Sequence, residues 1–279
     1  MISAILPIAN FIKDFDNVAK IIKDTQNYDI ELIIVNDSVT EEVYKTKKLS
    51  NLGNQRLRIV RSEKRNPGGA RNIGFKYATG DSVIFWDSDD QPDIPKILQM
   101  NDNLLASDND FIIGGYTRIE KGFTDKYQSP RKKKIEIILN PGIWRIIFKK
   151  NSIINLNFFE CNIGEDQLFM AGVFDLNLKS SLFNENVYNY QKNQCSLTSS
   201  PKILENYELT LGIIDSQIDK KSRNTQLVYS NLLLSYIKRS DRKNLKKSVQ
   251  ILINALNKHH LKFVILKILL FKMSAKWPL

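Results

Sequence analysis

The chain has 279 residues, of which 42% are hydrophobic and 25% are charged, a balance typical of a soluble globular protein with a sizeable core. Its two cysteines, Cys161 and Cys195, argue against a disulfide framework or a cysteine-based metal site and favour free thiols in a reducing cytoplasm. The residues from Met1 to Pro7 lack the basic region and the long apolar stretch of a signal peptide. We therefore expect a cytoplasmic protein.

The net charge of +11 is concentrated at the C-terminal end. Residues 238–279 contain eleven Lys and Arg and one acid, Asp241, whereas the rest of the chain holds 30 basic and 29 acidic residues. A nucleic-acid-binding domain would be expected to show its positive charge on the folded body. This distribution argues against nucleic acid as a partner.

The first part of the chain alternates apolar strand patterns with helical ones. Predicted strands are Ile2–Leu6, ended by Pro7, then Glu31–Val35, Leu57–Val60 and Ser82–Trp86. Predicted helices are Asp14–Thr25, a weak one from about Thr40, and one that the glycine-containing loop Asn66–Asn72 opens, running to about Ala78 and ended by Gly80. This order predicts an α/β fold, a Rossmann-like sandwich with a mostly parallel central sheet.

The alternation weakens after Phe111–Gly115. Residues 116–200 mix short strands, loops and one helix that starts near Glu165, and we place a boundary near Ser199–Pro201. A helical C-terminal region is expected beyond it, with candidates at Lys202–Asp219, Thr225–Lys238, Asn244–Lys258 and His260–Met273. We therefore divide the chain into residues 1–115, 116–200 and 201–279.

Three carboxylates follow the fourth predicted strand in the acidic run Asp87–Asp90. Ligands of parallel sheets bind beyond the carboxyl ends of the strands, where Asp37 also lies. Carboxylates this close together repel one another, and hard cations such as Mg²⁺ and Mn²⁺ bind such oxygens together with substrate phosphates. A solvated turn with a helix cap before Pro92 explains the run equally well.

Three further positions have both a functional and a structural interpretation. Asp37 would accept from a base N–H or cap a turn. Arg71 lies where glycines and a helix N-terminus favour an anion such as phosphate, although the pattern is neither a Walker loop nor a dinucleotide fingerprint. Glu165 and Asp166 open a helix, where an acid serves as a general base or merely offsets the helix dipole.

Together these features resemble the family 2 glycosyltransferases, an inverting group with the A-type fold. Each segment occurs in the family's order: Ile5–Asn10 as the opening strand and Pro-x-x-Asn turn, Glu31–Ser38 as the second strand, Gly69–Gly74 as the Ala-Arg-Asn-x-Gly helix, Val83–Asp90 as the Asp-x-Asp strand end, and Trp144–Lys150 with Gly164–Asp166 as the acceptor-side segment and acidic pair. Asn36 and Ser38 stand where the family usually has Asp and Gly.

The resemblance implies a role for each part. Residues 1–115 would bind the nucleotide sugar, 116–200 would bind the acceptor and supply the base, and 201–279 would form the basic helical region. The nucleotide sugar would be contacted by Pro7, Asp37, Arg71, Asp87 and Ser88. The metal ion, Mn²⁺ or Mg²⁺, would be bound by Asp89 and Asp87, with Asp90 in support. The catalytic base would be Asp166, with Glu165 beside it.

The activity implied is transfer of a sugar from a nucleoside-diphosphate sugar, with UDP favoured, to a saccharide or lipid-linked saccharide during bacterial surface polysaccharide synthesis. Two other classes stay open. An Asp-nucleophile phosphatase would use Asp87, although that motif normally lies on an early strand. A non-catalytic nucleotide-sugar-binding module would need no base. A sugar nucleotidyltransferase would require a glycine-rich N-terminal loop, which Pro7–Asn10 is not.

The basic C-terminal region suggests a further partner. Leu261–Lys272 is too short and too charged to span a bilayer. A helix there would place most lysines on one side, which fits a helix lying on an anionic membrane surface, at about 1 kcal/mol per basic residue. The same pattern fits a helix packed on the catalytic domain or in a dimer. Peripheral attachment to the inner face of the membrane and oligomerisation thus both stay open.

Overall fold

A computed structural model describes residues 1–38, 43–120, 126–192, 201–216, 222–240 and 253. Several sequence-based predictions lie outside these residues: Cys195, the boundary near Ser199, the helices at 244–258 and 260–273, and most of the basic C-terminal segment.

The described residues form nine strands and eight α-helices. The strands are β1 (Ile2–Ile8), β2 (Ile30–Asn36), β3 (Leu57–Arg61), β4 (Ser82–Phe85), β5 (Gln91–Pro92), β6 (Phe111–Ile119), β7 (Lys126–Gln128), β8 (Ile146–Lys149) and β9 (Ser180–Gln191). The helices are α1 (Phe11–Thr25), α2 (Val43–Ser50), α3 (Pro67–Tyr77), α4 (Ile94–Leu105), α5 (Lys134–Leu139), α6 (Glu165–Asp175), α7 (Ile203–Asp215) and α8 (Arg223–Arg239).

All the described strands join one sheet in the order β3-β2-β1-β4-β8-β6-β9-β5, with β7 paired to β6. The pairs among β3, β2, β1 and β4 are parallel, β6 is parallel to β9, and β8 runs antiparallel to both β4 and β6. Most strands therefore point the same way, with β5, β7 and β8 reversed. The predicted α/β sandwich with a mostly parallel sheet is confirmed.

Two strands at the centre explain the hydrophobic runs in the sequence. All seven residues of β2 are buried, as expected for a parallel strand covered on both faces. β1 continues through Pro7 to Ile8, so the prediction that Pro7 ends the strand was wrong. The carbonyl oxygen of Ile5 accepts from the Trp86 amide, so the backbone polar groups of Ile5 point toward the strand β4. The backbone of Pro7 points the same way, but β4 ends before it reaches Pro7. The missing N–H of Pro7 therefore removes no hydrogen bond between the strands.

The caps of two helices also differ from expectation. α1 begins at Phe11, three residues before the predicted start, because the Asn10 side chain accepts from the Lys13 amide. α3 ends at Tyr77 with Ala78 as its C-cap, so Gly80 does not end the helix. Gly80 instead lies against β1, where a Cβ atom would come within 2.7 Å of the Met1 carbonyl oxygen.

Beyond β4 the sheet contains an element that the sequence pattern did not reveal. β9 is twelve residues long, and its register with β6 shifts on either side of Gly115. A Cβ atom at Gly114 would lie 2.4 Å from Cγ2 of Val187, so the close approach of the two strands requires glycine. The helix predicted near Glu165 is confirmed as α6.

Helices cover both faces of the sheet. α1 and α4 pack on one face and α3, α5 and α6 on the other, and each face has its own apolar cluster. α7 and α8 form a third cluster with the outer sides of α5 and α6, which confirms a helical C-terminal region. Among the described residues, no helix is long and apolar enough to cross a membrane.

Candidate active site

The acidic run leaves the sheet at the end of β4, as predicted. The Trp86 amide makes the last parallel bond to β1, at 2.9 Å from the Ile5 carbonyl oxygen, and the chain then turns. Asp87 and Asp89 are half-buried at the surface of this turn, whereas Ser88 and Asp90 point inward and are buried. The two carboxylates predicted to bind metal thus belong to the two half-buried residues of the run.

Side chains of helix α1 hold the acidic run in place through hydrogen bonds. The Asn17 amide nitrogen donates to the carbonyl oxygens of Ser88 and Asp90, at 2.9 and 2.8 Å. The Ser88 hydroxyl donates to Asp14 at 2.7 Å. The structure therefore gives Ser88, predicted to contact the nucleotide sugar, a buried internal partner on α1. None of the α1 contacts was evident in the sequence, because Asp14 and Asn17 lie more than 70 residues away from the run.

Arg71 joins the acidic run to the Glu165–Asp166 pair. It projects from α3 and is 5% exposed. One guanidinium nitrogen donates to Glu165 at 2.8 Å and the other to Asp87 at 2.9 Å. The Phe158 ring lies 5.5 Å from the guanidinium. Charge-assisted bonds of this kind are shorter and stronger than neutral ones, so Arg71 holds the two carboxylate groups in fixed relation.

The close carboxylates shift one another's titration. Burial, and then the neighbouring charge of Asp166, raises the pKa of Glu165 to about 7. Burial also raises the pKa of Asp166, against the attraction of Arg71. Although burial alone would lower it, the charges of Asp87 and Glu165 raise the pKa of Arg71, so the guanidinium stays charged. Desolvation of several acids around one cation is a feature of functional sites.

Asp166 is the second residue of α6 and lies beside this network. It is half-buried, and one carboxylate oxygen accepts from the Gln167 amide at 2.8 Å. Burial raises the pKa of Asp87, and the charge of Asp166 adds to the rise, so the two acids lie within electrostatic range. Glu165 binds the Arg71 guanidinium, whereas the described hydrogen bond of Asp166 is to a backbone amide.

Asp37 and Pro7 lie further along the same edge. Asp37 is 6% exposed, and its Oδ1 accepts from the Arg65 amide at 3.0 Å, which ties the end of β2 to the loop before α3. Arg65 itself adopts a left-handed φ of 56°. Asn36 occupies the position where the resemblance led us to look for an acid, and its side-chain oxygen accepts from Ser38 and Arg61.

A comparison with known families identifies the family of the chain. The family described as Glycosyl transferase family 2 matches residues 3–164, which is more than half of the chain and includes the edge described above except Glu165, Asp166 and β9. The chain belongs to this family.

Curated relatives agree with that assignment. The chain is 25% identical over 221 residues to the glycosyltransferase GlyG of Streptococcus pneumoniae, covering 71% of this chain and 72% of GlyG. It is 21% identical over 223 residues to the uncharacterized glycosyltransferase EpsJ of Bacillus subtilis, covering 72% of this chain and 64% of EpsJ. The chain thus spans slightly less than two thirds of EpsJ.

Solved structures share the fold. TarS 1–349 of S. aureus in complex with UDP-GlcNAc has a TM-score of 0.60 at 20% identity, covering 87% of this chain and 74% of that one. The mannosyltransferase PcManGT of Pyrobaculum calidifontis in complex with GDP-Man and Mn²⁺ has a TM-score of 0.54 at 12% identity, covering 94% and 81%. At these identities the likeness establishes the fold alone.

The donor set of this family 2 chain suits a hard divalent cation only in part. Within the described ranges, no group of three or more His, Cys, Asp or Glu side chains is arranged to hold a metal. Asp87, which also binds Arg71, and Asp89 offer two carboxylates, and Mg²⁺ or Mn²⁺ typically uses one or two of these together with substrate phosphates. An ion at this position would therefore need further ligands from a bound diphosphate.

The site also depends on Tyr188, which sequence reasoning missed. The Asp87 amide donates to its hydroxyl at 3.0 Å, and its ring stacks on Trp144 with centroids 4.5 Å apart. The neighbouring Gln191 amide donates to buried Asp90 at 2.7 Å. Burial and the charge of Asp87 raise the pKa of Asp90 to about 9. The aromatic and β-branched residues Val187, Tyr188 and Tyr190 favour a strand, but neighbouring residues are buried together rather than alternately, so period-two alternation did not indicate β9.

Proposed function

We propose that this family 2 chain is an inverting glycosyltransferase that moves a sugar from a nucleoside-diphosphate sugar to a hydroxyl of a saccharide or lipid-linked saccharide. The observation that supports it best is the Arg71 bridge, which links the acidic run after β4 to the desolvated acidic pair at the start of α6. This arrangement supports a binding site for a charged donor next to a carboxylate that would take up a proton.

Residues 1–115 would form the donor part. Asp87 and Asp89 would hold Mn²⁺ or Mg²⁺ on the donor diphosphate, and this ion would supply positive charge for the departing phosphate oxygen. Arg71, Asp37, Pro7 and Ser88 would complete the donor side, with Ser88 acting through its backbone because its hydroxyl is bound to Asp14. UDP is the nucleotide we propose, since solved relatives of the fold include one in complex with UDP.

Residues 116–200 would form the acceptor part and supply the base. The acceptor hydroxyl oxygen forms a bond to the anomeric carbon while the bond from that carbon to the diphosphate oxygen breaks. Asp166 takes the hydroxyl proton, and the nucleoside diphosphate leaves with the electron pair of the broken bond. A single in-line displacement inverts the anomeric centre and requires no covalent nucleophile.

Residues 201–279 would bring the enzyme to its acceptor. The strong positive charge of residues 238–279 suits the anionic inner face of a bacterial membrane, where lipid-linked saccharides are assembled into surface polysaccharides. Co-sedimentation with vesicles of anionic lipid tests this proposal. Loss of binding after deletion of residues 259–279 is expected, and equal binding before and after the deletion would rule out this anchor.

Donor binding is tested by thermal unfolding. UDP is expected to raise the unfolding midpoint only when Mn²⁺ or Mg²⁺ is present, because the ion links the diphosphate to the protein. Asp89→Ala is expected to abolish the rise, whereas Asp108→Ala, at an exposed position after α4, is expected to keep it. No stabilisation by any nucleotide would count against the proposal.

Catalysis is tested separately from binding. Sugar nucleotides are screened for release of the nucleoside diphosphate in the presence of candidate saccharides. Asp166→Asn is expected to reduce turnover about 100-fold or more while UDP stabilisation is kept, because it removes the base and leaves the donor side intact. Unchanged turnover in Asp166→Asn would overturn the assignment of the base, and binding without any turnover would favour a non-catalytic module.

A further inference from the structure

Arg145 is a buried cation for which the described residues provide no carboxylate partner. It is 2% exposed, yet its hydrogen bonds are from Nε to the Pro141 carbonyl oxygen at 3.2 Å and from one terminal nitrogen to the Gly114 carbonyl oxygen at 3.5 Å. A guanidinium has five N–H donors, and buried charges are normally paired. Arg71, equally buried, has a carboxylate on each side.

Among the described residues, the charged side chain that acts on Arg145 is another cation, Arg131. Burial and the neighbouring charge of Arg131 lower the pKa of Arg145 to about 10. Its guanidinium lies 5.1 Å from the centre of the Tyr116 ring, which offers a weak attraction. Tyr127, which is 44% exposed on the three-residue strand β7, also lies within electrostatic range of Arg145. An anion would therefore compensate a charge that the described protein leaves uncompensated.

The register of the sheet places Arg145 at the catalytic edge. β8 runs antiparallel to β4, with Ile147 opposite Ile84, so the residues just before β8 lie next to the end of β4. Trp144 there stacks on Tyr188, whose hydroxyl binds the Asp87 amide. Trp144 also meets the ring of Tyr116, the ring that Arg145 faces. The cation is thus separated from the acidic run by a short series of aromatic contacts.

We propose that Arg145 forms an oxyanion subsite for the acceptor, which would bind a phosphate or carboxylate group of that molecule away from its reacting hydroxyl. The assignment to the acceptor rests on the proposed function, whereas the binding of an oxyanion does not. The planar guanidinium matches both groups through paired N–H donors. The aromatic residues between Arg145 and the acidic run would lie along the sugar that joins the two groups.

The test uses the whole 279-residue chain with its donor site filled by UDP and Mg²⁺. Sodium phosphate and sodium acetate are titrated against chloride at matched ionic strength while the unfolding midpoint is recorded. A saturable rise with phosphate points to a phosphorylated acceptor and a rise with acetate to an acidic sugar. No saturable rise with either would overturn the proposal. Stabilisation by UDP before the titration reports independently on the proposed function.

Variants assign the effect to Arg145. Arg145→Met is expected to abolish the rise, and Arg58→Met to keep it, because Arg58 also lies over a tyrosine ring, at 5.6 Å, but is exposed on β3. Should Arg145→Met fail to fold, Arg145→Lys keeps the charge and loses the paired donors, and its apparent Kd for the oxyanion is expected to rise about tenfold. An unchanged oxyanion response in whichever Arg145 variant folds would overturn the proposal.

Discussion

In the first half of the sheet, β3, β2, β1 and β4 lie side by side through crossovers that each contain one helix, whereas in the second half β8, β6, β9 and β5 pair out of chain order. The first half presents side chains that follow their own strands, such as Asp37 and Asp87. The second half contributes side chains whose position depends on strands far away in the chain, such as Tyr188 and Arg145.

This difference shows how each half of the sheet contributes residues to the edge at which β1, β2 and β4 end. The carboxyl ends of parallel strands lie at one edge of the sheet, so the residues that follow these strands lie close together. Because β8 runs antiparallel to β4, the residues just before β8 lie at that edge. The shifted register of β9 places Tyr188 next to the Asp87 amide. The first half of the sheet thus repeats a local strand–helix–strand unit. The second half depends on pairing between strands that are distant in the chain.

The largest effect is expected where the two halves are joined. Arg71→Met leaves Glu165 and Asp87 without their shared cation, and removing one partner of a buried ion pair costs about 3–5 kcal/mol. Urea denaturation measures the free energy of unfolding. Arg58→Met is the control, with a change within about 0.5 kcal/mol expected for an exposed position. A cost for Arg71→Met as small as that of the control would mean that the bridge does not join the halves.

A second effect depends on pH. The folded pKa of Glu165, about 7, is above its ordinary value of 4.5, so its contribution to stability is fully present at low pH and is lost as the pH rises through 7. We expect the stability of the wild type relative to Glu165→Gln to fall by on the order of 1–3 kcal/mol between pH 4.5 and pH 8. Denaturation curves across this range test the sign, and a constant difference between the two proteins would contradict it.

A smaller effect isolates the contribution of β9 to the donor side. Tyr188→Phe removes the acceptor of the Asp87 amide and is expected to cost about 1–2 kcal/mol, since it leaves a largely enclosed donor without a partner. Tyr190→Phe is the matched control, because no hydrogen bond of its hydroxyl to a described residue is present. If both variants unfold at the same denaturant concentration, the contact between Tyr188 and Asp87 adds nothing to stability.

The smallest effect lies outside both halves of the sheet. Gly212 is exposed on α7, and a Cβ atom there would meet nothing within 4 Å. Gly212→Ala is expected to raise the free energy of unfolding by about 0.5–1 kcal/mol through helix propensity. The same change at Gly74 on α3 should destabilise, because its Cβ would lie 2.4 Å from Cγ2 of Ile5. Equal signs at the two positions would contradict this contrast.

Much of the fold was predictable from patterns that are local. The strands β2, β3 and β4 and the start of α6 at Glu165 were expected within one or two residues, because continuous apolar runs and helical spacing reflect burial directly. The continuation of β1 past Pro7 was not, since it depends on where β4 ends. β9 was missed because its half-buried residues give a mixed pattern, and its pairing partner lies about 70 residues earlier.

The same division applies to the site. The sequence by itself determined the family and the positions of Asp37, Arg71, the acidic run and the Glu165–Asp166 pair, because each follows a strand or opens a helix that local burial specifies. Only the tertiary structure decided that Arg71 bonds both Asp87 and Glu165, that Asp14 holds Ser88, and that Arg145 is buried without a described carboxylate. These contacts join segments that are distant in the chain, and strand order and register, which no local pattern encodes, determine which of them meet.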